Sequence, residues 1–360
     1  MIRPSIAFSK TLAALVALAW LVGAPPAQAA ADRETKPGKG REHDYSEALK
    51  AVVNLKVKVS PGARSAERLG TERTGSGVLI DDQGLILTIG YLVMEAREIE
   101  ITTQDGKVLP GRLAGYDGDT GFGLVRAAMP VKATPVPLGD STALKSEAQV
   151  LVISAAGSWP AMPALVADRR PFAGSWEYYV DNAIFTAPAH PAFGGAALIA
   201  EDGRLVGIGS LYVGDVLEMA ERNPGGVIPG NMFVPIDDLK PILADLRTQG
   251  KRATPPRPWI GVYTGELRGR VFVTRLAPGG PAEKAGLLPG DIIVGVNGKR
   301  VGSLIDLQRR LGGLGGAGVE VPLDVLSTHG ATASEDEPLI RRIRVPSIDR
   351  QRWLIEDKGL

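Results

Sequence analysis

From residue 52 onward, the sequence consists largely of short apolar runs, each closed by residues typical of turns. Val52–Val59, Gly77–Ile80 and Leu85–Thr88 are three of these runs, and Asp81–Gly84 is the turn signal between the last two. Runs this short, bounded by turn residues, predict β-strands, because amphipathic helices need longer stretches. The chain also holds 45 glycines and 27 prolines, enough to end many strands. We therefore expect a fold dominated by β structure.

The runs fall into two successive sets, separated by a connector at residues 135–140. The second set ends at Val234–Ile236, and Asp237–Leu246 follows with the apolar spacing of a helix. Besides the runs named above, the two sets consist of Ile99–Thr102, Leu124–Ala127, Gln149–Ser154, Tyr178–Phe185, Ala196–Ala200 and Leu205–Leu211. Two sets of this kind predict a double β-barrel over residues 47–247.

A domain boundary follows the double barrel. Residues 248–258 hold three prolines and several cationic side chains, which is typical of a linker. Residues 259–346 then combine strand-like runs with two short helical segments, Pro281–Gly286 and Leu304–Leu311, and predict an α+β domain. Residues 347–360 are expected to form a polar tail. More than one domain agrees with the length of the chain, since a single core serves at most ~250–300 residues.

The N-terminus has the organisation of a secretory signal peptide. Arg3 and Lys10 precede an uncharged apolar run, Thr11–Val22, and small residues follow up to a predicted cleavage site after Ala29. The apolar run is shorter than the ~20 residues of a membrane span, so an uncleaved anchor is the less favoured alternative. We expect residues 1–29 to be removed, residues 30–46 to form a flexible charged arm, and the protein to be periplasmic or otherwise exported, with no stable membrane span.

Charge and composition exclude several functional classes. Without the two basic residues of the signal peptide, 39 basic residues face 40 acidic ones, which predicts no nucleic-acid partner and no anionic-membrane partner. The chain has no cysteine, so disulfides and thiolate chemistry are excluded. Its three histidines, His43, His190 and His329, are scattered without ligand spacing, and we expect neither a metal nor a cofactor.

Several motifs, in order and spacing, resemble the HtrA family of PDZ-containing serine proteases. They are Thr74–Ile80, Gly84–Thr88, Asp117–Thr120 and Leu138–Ser141 in the barrels, and Pro258–Val262, Ala277–Ile293 and Val296–Gly298 in the third domain. The resemblance covers nearly all of the chain after the signal peptide. It implies a trypsin-like double β-barrel over residues 47–247, a PDZ domain over residues 259–346, and serine endopeptidase activity.

All three positions of the family's catalytic triad differ in this chain. The resemblance aligns Tyr91 with the histidine general base, Gly121 with the aspartate that orients it, and Phe193 with the serine nucleophile. A phenol with a pKa near ~10 cannot accept the serine proton at neutral pH, and a phenyl ring has no nucleophilic atom. The oxyanion hole of this family also uses the backbone N–H two residues before the nucleophile, where Pro191 has none. We therefore predict an inactive homologue, a pseudoprotease.

Other interpretations of this site remain open. Tyr91 and Phe193 are expected to fill the emptied cleft, and the alternative is that they line an apolar peptide-binding groove. A rearranged site would need His190, an orienting carboxylate and a serine such as Ser154, Ser158, Ser175 or Ser210. It is disfavoured, because a histidine next to a proline is more often a loop residue.

The third domain retains the motifs for peptide recognition. Ile260, Gly261 and Val262 resemble the loop with which PDZ domains of this family bind a C-terminal carboxylate, and the following strand offers an edge for peptide pairing. By the same resemblance, Val262 and Leu307 are expected to line the side-chain pocket, with Leu311 on the same helix face as Leu307, although core packing is the alternative.

The leading functional prediction is an exported HtrA-like pseudoprotease that binds unfolded or C-terminal peptides of envelope proteins as an adaptor, holdase or regulator. The resemblance alone favours a second hypothesis, an active serine endopeptidase. A third is an inactive subunit in a mixed oligomer with an active HtrA-type protease, since the family forms trimers; a homotrimer is equally compatible with the sequence.

Overall fold

A computed structural model of the chain describes residues 44–219, 226–327 and 340–355, which belong to one compact unit. The predicted signal peptide and nearly all of the predicted arm lie outside the described residues. Within the described ranges, no helix is both long enough and apolar enough to cross a membrane. Strands dominate the structure, and the predicted fold class is confirmed.

The first barrel closes six antiparallel strands in the order β1-β2-β3-β6-β5-β4. They are β1 (Val52–Val59), β2 (Glu72–Leu79), β3 (Leu85–Ile89), β4 (Ala96–Thr102), β5 (Val108–Tyr116) and β6 (Phe122–Ala127). The interior is aliphatic: Leu55, Leu87 and Ile101 have no exposed surface. Three short helices accompany this barrel: α1 (Ser46–Ala51), α2 (Ala66–Leu69) and α3 (Gly90–Val93).

The second barrel also closes six antiparallel strands, in the order β10-β11-β12-β9-β8-β7. They are β7 (Gln149–Ile153), β8 (Ala161–Gly174), β9 (Tyr178–Ala187), β10 (Ala197–Ala200), β11 (Leu205–Met219) and β12 (Gly226–Pro235). The turn between β8 and β9, together with the adjoining ends of both strands, is called the β8–β9 hairpin below and comprises residues 174–181. It extends from the barrel toward the third domain.

The helix predicted over Asp237–Leu246 is wrong in its extent. A 3₁₀ turn occupies Ile236–Asp238, and α4 runs only over Leu243–Gln249. Pro241 explains the break, because the ring of a proline disfavours helical backbone in the residue before it and removes one N–H donor.

The third domain is a separately cored six-stranded sheet with two helices. Its strand order is β13-β14-β15-β17-β18, with β16 paired to β15, so β13 is an edge strand. The elements are β13 (Val262–Leu267), β14 (Arg270–Leu276), α5 (Pro281–Lys284), β15 (Ile292–Val296), β16 (Lys299–Arg300), α6 (Leu304–Gly312), β17 (Glu320–Leu326) and β18 (Ile340–Pro346). Ser303 caps α6, since its side chain accepts the N–H of Asp306.

Residues 347–355, the described part of the expected polar tail, differ from that expectation. Arg350–Ile355 forms helix α7, and its Trp353 packs against Trp259 with 4.6 Å between ring centroids. Leu354 is buried with Met94 and Tyr116 of the first barrel. These two apolar side chains, together with backbone hydrogen bonds between Ile348 and Trp259, dock this segment although its composition is mostly polar.

The predicted linker is fastened to the first barrel by a buried ion pair. The guanidinium of Arg252 donates Nε to Oδ1 of Asp117 (2.6 Å) and Nη2 to Oδ2 (2.9 Å), and it also pairs with Asp119 (2.8 Å). Asp117 is only 2% exposed. The backbone N–H of Arg257 donates to Asp119 as well (3.0 Å). These contacts fix the start of the third domain against the barrel.

Candidate functional site

The structure brings Tyr91, Gly121 and Phe193 to one cleft. Tyr91 lies in α3 directly after β3, Gly121 lies in the turn before β6, and Phe193 lies in the loop between β9 and β10. All three line a cavity of about 480 Å³. Three separate segments of chain therefore converge in the way that the resemblance predicts for the triad positions.

The Tyr91 side chain is committed to a structural contact. Its hydroxyl donates to the carbonyl of Ser210 (3.0 Å), and burial raises the pKa of the phenol above its usual value. A Cβ atom placed on Gly194 would lie 2.8 Å from the Tyr91 oxygen, so the phenol packs closely against the loop that carries Phe193. A phenol in this setting stays protonated at neutral pH, so it cannot replace imidazole as the general base.

A tyrosine ring borders the position aligned with the orienting aspartate. Gly121 has φ of +80°, and a Cβ atom there would lie 3.1 Å from both Cε2 and the hydroxyl oxygen of Tyr178. The Tyr178 hydroxyl donates to the carbonyl of Thr120 (2.9 Å), which holds the ring in place. Glycine is favoured here by both the backbone conformation and the neighbouring ring.

The loop around Phe193 is held by backbone hydrogen bonds. The Phe193 carbonyl accepts the N–H of Ala196 (3.0 Å), and the carbonyl of Gly194 accepts the N–H of Ser76 (2.8 Å). Two residues before Phe193 stands Pro191, which has no N–H to offer an oxyanion. Phe193 itself is partly exposed to the cleft.

His190 does not form an alternative catalytic pair. It has no exposed surface, its Nδ1 accepts the N–H of Ala192 (3.1 Å), and its Nε2 contacts the carbonyl of Trp159 (3.0 Å). Since Nδ1 is an acceptor, Nε2 carries the proton and donates it to that carbonyl. Burial lowers the pKa of this imidazole. Both nitrogens are engaged by backbone groups, so neither is available to a serine; His43 and His329 lie outside the described residues.

Aromatic side chains from every part of the molecule line the cleft. Trp176 and Tyr178 are stacked with 5.8 Å between centroids. The remaining aromatic residues of the lining are Tyr91, Tyr116, Phe193, Trp259, Tyr263 and Trp353. Tyr91 and Phe193 line this open space, so the choice between filling the former active site and lining an apolar groove stays a prediction. The lining also shows that the third domain and α7 close over this space, which the sequence had not indicated.

The predicted carboxylate-binding loop does hold a carboxylate. Three consecutive backbone N–H groups, those of Ile260, Gly261 and Val262, converge on one acceptor group. The acceptor is the side chain of Glu177: its Oε2 accepts the first N–H at 3.0 Å, and its Oε1 accepts the second and third at 2.7 and 2.8 Å. Gly261 has φ of +83°, the left-handed conformation that lets consecutive amides point to one side.

Glu177 is a functional residue that the sequence did not reveal. It lies at the tip of the β8–β9 hairpin and contacts a loop more than 80 residues further along the chain. Burial raises its pKa to about 7, although the three N–H donors and the charge of Arg350 act in the opposite direction. No local pattern around Glu177 distinguishes it from any other turn glutamate, so only the tertiary structure could identify it.

The proposed pocket residues of the PDZ domain are deeply buried. Leu307 and Leu311 lie on one face of α6 and belong to the core of the third domain, with at most 1% exposed surface. Val262 is equally buried. Their part in a side-chain pocket stays a prediction, while their packing role is evident. Among the described residues, no cluster of His, Asp or Glu has the arrangement of a metal site.

Comparison with known proteins supports this description of the domains. Residues 75–208 match the family of trypsin-like peptidase domains, and residues 272–321 match the family of PDZ domains. The first match includes the aligned positions of the triad, and the second begins within β14.

Curated relatives align with most of the chain. A Haemophilus influenzae protein, "Probable periplasmic serine protease do/HhoA-like", is 25% identical over 333 residues, covering 85% of this chain and 68% of that protein. A Hahella chejuensis protein, "Probable periplasmic serine endoprotease DegP-like", is 29% identical over 258 residues, covering 67% and 52%. The "Serine protease Do-like HtrA" of Bacillus subtilis is 23% identical over 303 residues, covering 74% and 65%. The chain thus spans between 52% and 68% of the length of these relatives.

A solved structure has a similar fold over nearly the same extent. It is a variant of the HtrA-type protease AlgW with a tripeptide, and it is 19% identical with a TM-score of 0.51, covering 84% of this chain and 95% of the other. With two closed barrels of trypsin-like type, a PDZ domain after them, and relatives of HtrA and DegP type along most of its length, this protein is similar to the HtrA-type family.

Proposed function

We propose that this protein is an exported HtrA-like pseudoprotease that binds the free C-termini of peptides or unfolded envelope proteins through its PDZ domain. The observation that carries the proposal is the convergence of three backbone N–H groups, from residues 260–262, on a single carboxylate. Hydrogen bonds from N–H groups to an ionised carboxylate are shorter and stronger than neutral ones, so a loop of this geometry is suited to a terminal carboxylate.

The neighbouring strand supports an extended peptide as the ligand. Strand β13 follows the loop directly and is an edge strand of its sheet, so it can accept a further antiparallel strand. Backbone pairing on β13 would supply affinity, and the terminal carboxylate in the loop would fix the register. AlgW, whose fold this chain shares, is an HtrA-type protease with a structure that includes a tripeptide.

The proposed absence of peptidase activity rests on two separate losses. Removal of a Ser-His-Asp triad lowers turnover by roughly a million-fold, and Tyr91, Gly121 and Phe193 supply none of its groups. Removal of one oxyanion donor costs a further factor of about 100–1,000, and Pro191 lacks that donor. The product of these factors leaves no useful peptidase rate.

Peptide binding is tested with fluorescein-labelled heptapeptides that end in Val, Leu, Ile or Phe, each with a free carboxylate or an amidated C-terminus. We expect binding of at least one free-carboxylate peptide, and at least tenfold weaker binding of its amide. Gly261→Trp should abolish binding, because the left-handed backbone and the contacts of its Cβ at 3.3 Å leave no room for a ring.

Gly298→Trp is the matched control for this variant. Gly298 lies in the same domain and also has a positive φ, of +71°, but a Cβ atom there would meet nothing within 4 Å. Equal affinity for the free and amidated peptides, or equal loss of binding in both tryptophan variants, would exclude the loop as a carboxylate site.

Peptidase activity is tested with a fluorophosphonate probe and with fluorescent casein. We expect neither labelling nor cleavage. Labelling of one serine, with loss of casein cleavage when that serine is changed to alanine, would replace the pseudoprotease proposal with an active endopeptidase.

A further inference from the structure

The carboxylate in the PDZ loop belongs to this chain itself. Glu177 reaches it from the tip of the β8–β9 hairpin, so the second barrel and the third domain are joined by the same contacts that a peptide ligand would use. Both carboxylate oxygens are engaged, as both oxygens of a terminal carboxylate would be.

A second contact of the hairpin also resembles that of a bound peptide. The N–H of Thr264 on edge strand β13 donates to the carbonyl of Ser175 (2.8 Å). Ser175 is two residues before Glu177, and Thr264 is two residues after the last N–H donor of the loop. The hairpin therefore offers β13 a main-chain acceptor next to the carboxylate, which is the pattern of β-strand addition.

The other wall of the PDZ groove is also in contact with the hairpin. Helix α6 lies beside β8 and β9, and its Arg309 donates Nε to the hydroxyl of Tyr179 (2.7 Å). The same guanidinium pairs with Asp181 at 3.3 Å. Glu177 and Ser175 therefore contact the loop and the strand while Tyr179 and Asp181 contact the helix, so the hairpin spans the groove.

Two features of Glu177 oppose its contact with the PDZ loop: the conformation of its backbone and the burial of its charge. Its φ of +56° is in the left-handed region, which costs free energy for residues other than glycine. Its carboxylate is removed from water, and that desolvation is opposed mainly by the three loop N–H groups. The hairpin therefore keeps this conformation only while it is bound to the PDZ loop.

We propose that the β8–β9 hairpin is an internal ligand of the PDZ domain, which must be displaced before the C-terminus of another protein can bind. This proposal rests on the peptide-binding function proposed above and adds its regulation. Since only the fraction of molecules with an open groove can bind, the hairpin lowers the apparent affinity by that fraction. A groove open in about 1–10% of molecules corresponds to affinity about 10- to 100-fold below that of the free groove.

The test is the affinity of the purified full-length protein for the same free-carboxylate heptapeptides, measured by fluorescence anisotropy. Two variants remove the internal carboxylate: Glu177→Ala, and Glu177→Gly, which also relieves the left-handed backbone and so retains the fold. We expect both to bind the peptide about 10- to 100-fold more tightly than the wild type. Amide hydrogen exchange at residues 260–262 should become faster in both variants and slow again when peptide is added.

Glu147→Gly is the matched control. Glu147 is also a turn glutamate with positive φ, of +69°, but it precedes β7 and is exposed to solvent. Its affinity for peptide should equal that of the wild type.

The possible failures are distinguishable. Peptide binding of equal strength in the wild type and both Glu177 variants would overturn the internal ligand while leaving the peptide-binding function intact. Absence of binding to any free-carboxylate peptide, even in Glu177→Gly, would overturn the peptide-binding function and, with it, the regulation proposed here.

Discussion

Reinstalling the triad is a direct test of how far this cleft has departed from a protease. The perturbation is Gly121→Asp, alone and combined with Tyr91→His and Phe193→Ser. The aspartate must adopt the backbone of Gly121, with φ of +80°, and its Cβ must lie 3.1 Å from the ring of Tyr178. The first requirement costs about 1–2 kcal/mol for a residue other than glycine, and overpacking against a ring costs about 1–3 kcal/mol more.

The assay compares two glycines that share one backbone conformation. Gly106 has φ of +79°, but a Cβ atom there would meet nothing within 4 Å, so Gly106→Asp pays only the conformational cost. In urea unfolding, we expect Gly121→Asp to lower the free energy of unfolding by about 1–3 kcal/mol more than Gly106→Asp does. The triple variant should show no fluorophosphonate labelling and no casein cleavage.

Two results would refute this reasoning. Equal destabilisation by the two aspartates would mean that Tyr178 moves freely and does not fill the position of the orienting carboxylate. Labelling of the triple variant at residue 193 would mean that the cleft still activates a serine, although Pro191 lacks the oxyanion donor.

Two further predictions follow from buried charges. The pKa of Glu177 rises from its ordinary 4.5 to about 7, so docking of the hairpin is strongest below pH 4.5 and weakens as pH rises through 7. Peptide affinity should therefore increase from pH 5 to pH 8 in the wild type. It should not increase in Glu177→Gly, because Arg257, Arg350 and the peptide carboxylate stay charged throughout this range. Asp117→Ala should lower the free energy of unfolding by about 3–5 kcal/mol, because it removes two of the three charge-assisted hydrogen bonds of Arg252 and leaves only the one to Asp119. Asp202→Ala, which breaks a solvent-exposed pair, should cost under about 1 kcal/mol in the same urea titration.

The parts of the fold that follow local patterns could be predicted from the sequence. Strand β1 was expected over Val52–Val59 and has those bounds, since its apolar residues alternate or run together without a breaker. Strands β5 and β8 were not identified. β5 contains a proline and two glycines, and β8 has two prolines and a mostly half-buried surface, so neither shows the period of two that marks a strand.

Only the family resemblance predicted that Tyr91 and Phe193 lie at one cleft. Nothing in the sequence predicted that the third domain and α7 close over that cleft. Tyr91 and Phe193 were placed correctly at one cleft because motifs position them in a known fold. Trp353 and Glu177 carry no such signal, since each acts through a contact with a distant segment. A turn glutamate can accept hydrogen bonds from a distant loop only when the domain that carries the loop is packed beside it.

The choice between pseudoprotease and protease depends on whether the cleft holds a general base. An acyl transfer at neutral pH needs a group with a pKa near 7 beside a nucleophile. The ionisable side chains that line the cleft, among the described residues, are tyrosines, arginines and Glu67. Burial raises the pKa of Tyr91, Tyr116 and Tyr178 above their usual values, and arginine stays protonated.

The remaining candidate is a carboxylate at the rim. The Glu67 side chain is 72% exposed and pairs with Arg275 at 3.5 Å, so it lies in solvent and has a cationic partner. The hydroxyl oxygen of Ser65, one of the two serines in the lining, accepts a hydrogen bond from Arg73 (2.7 Å). Its side-chain partner is therefore a cation and not a base. Glu177 does have a pKa near 7, but its oxygens are held by the PDZ loop. Because the PDZ loop holds both of its oxygens, Glu177 is not free to act as a base, which supports the proposed peptide binding over hydrolysis.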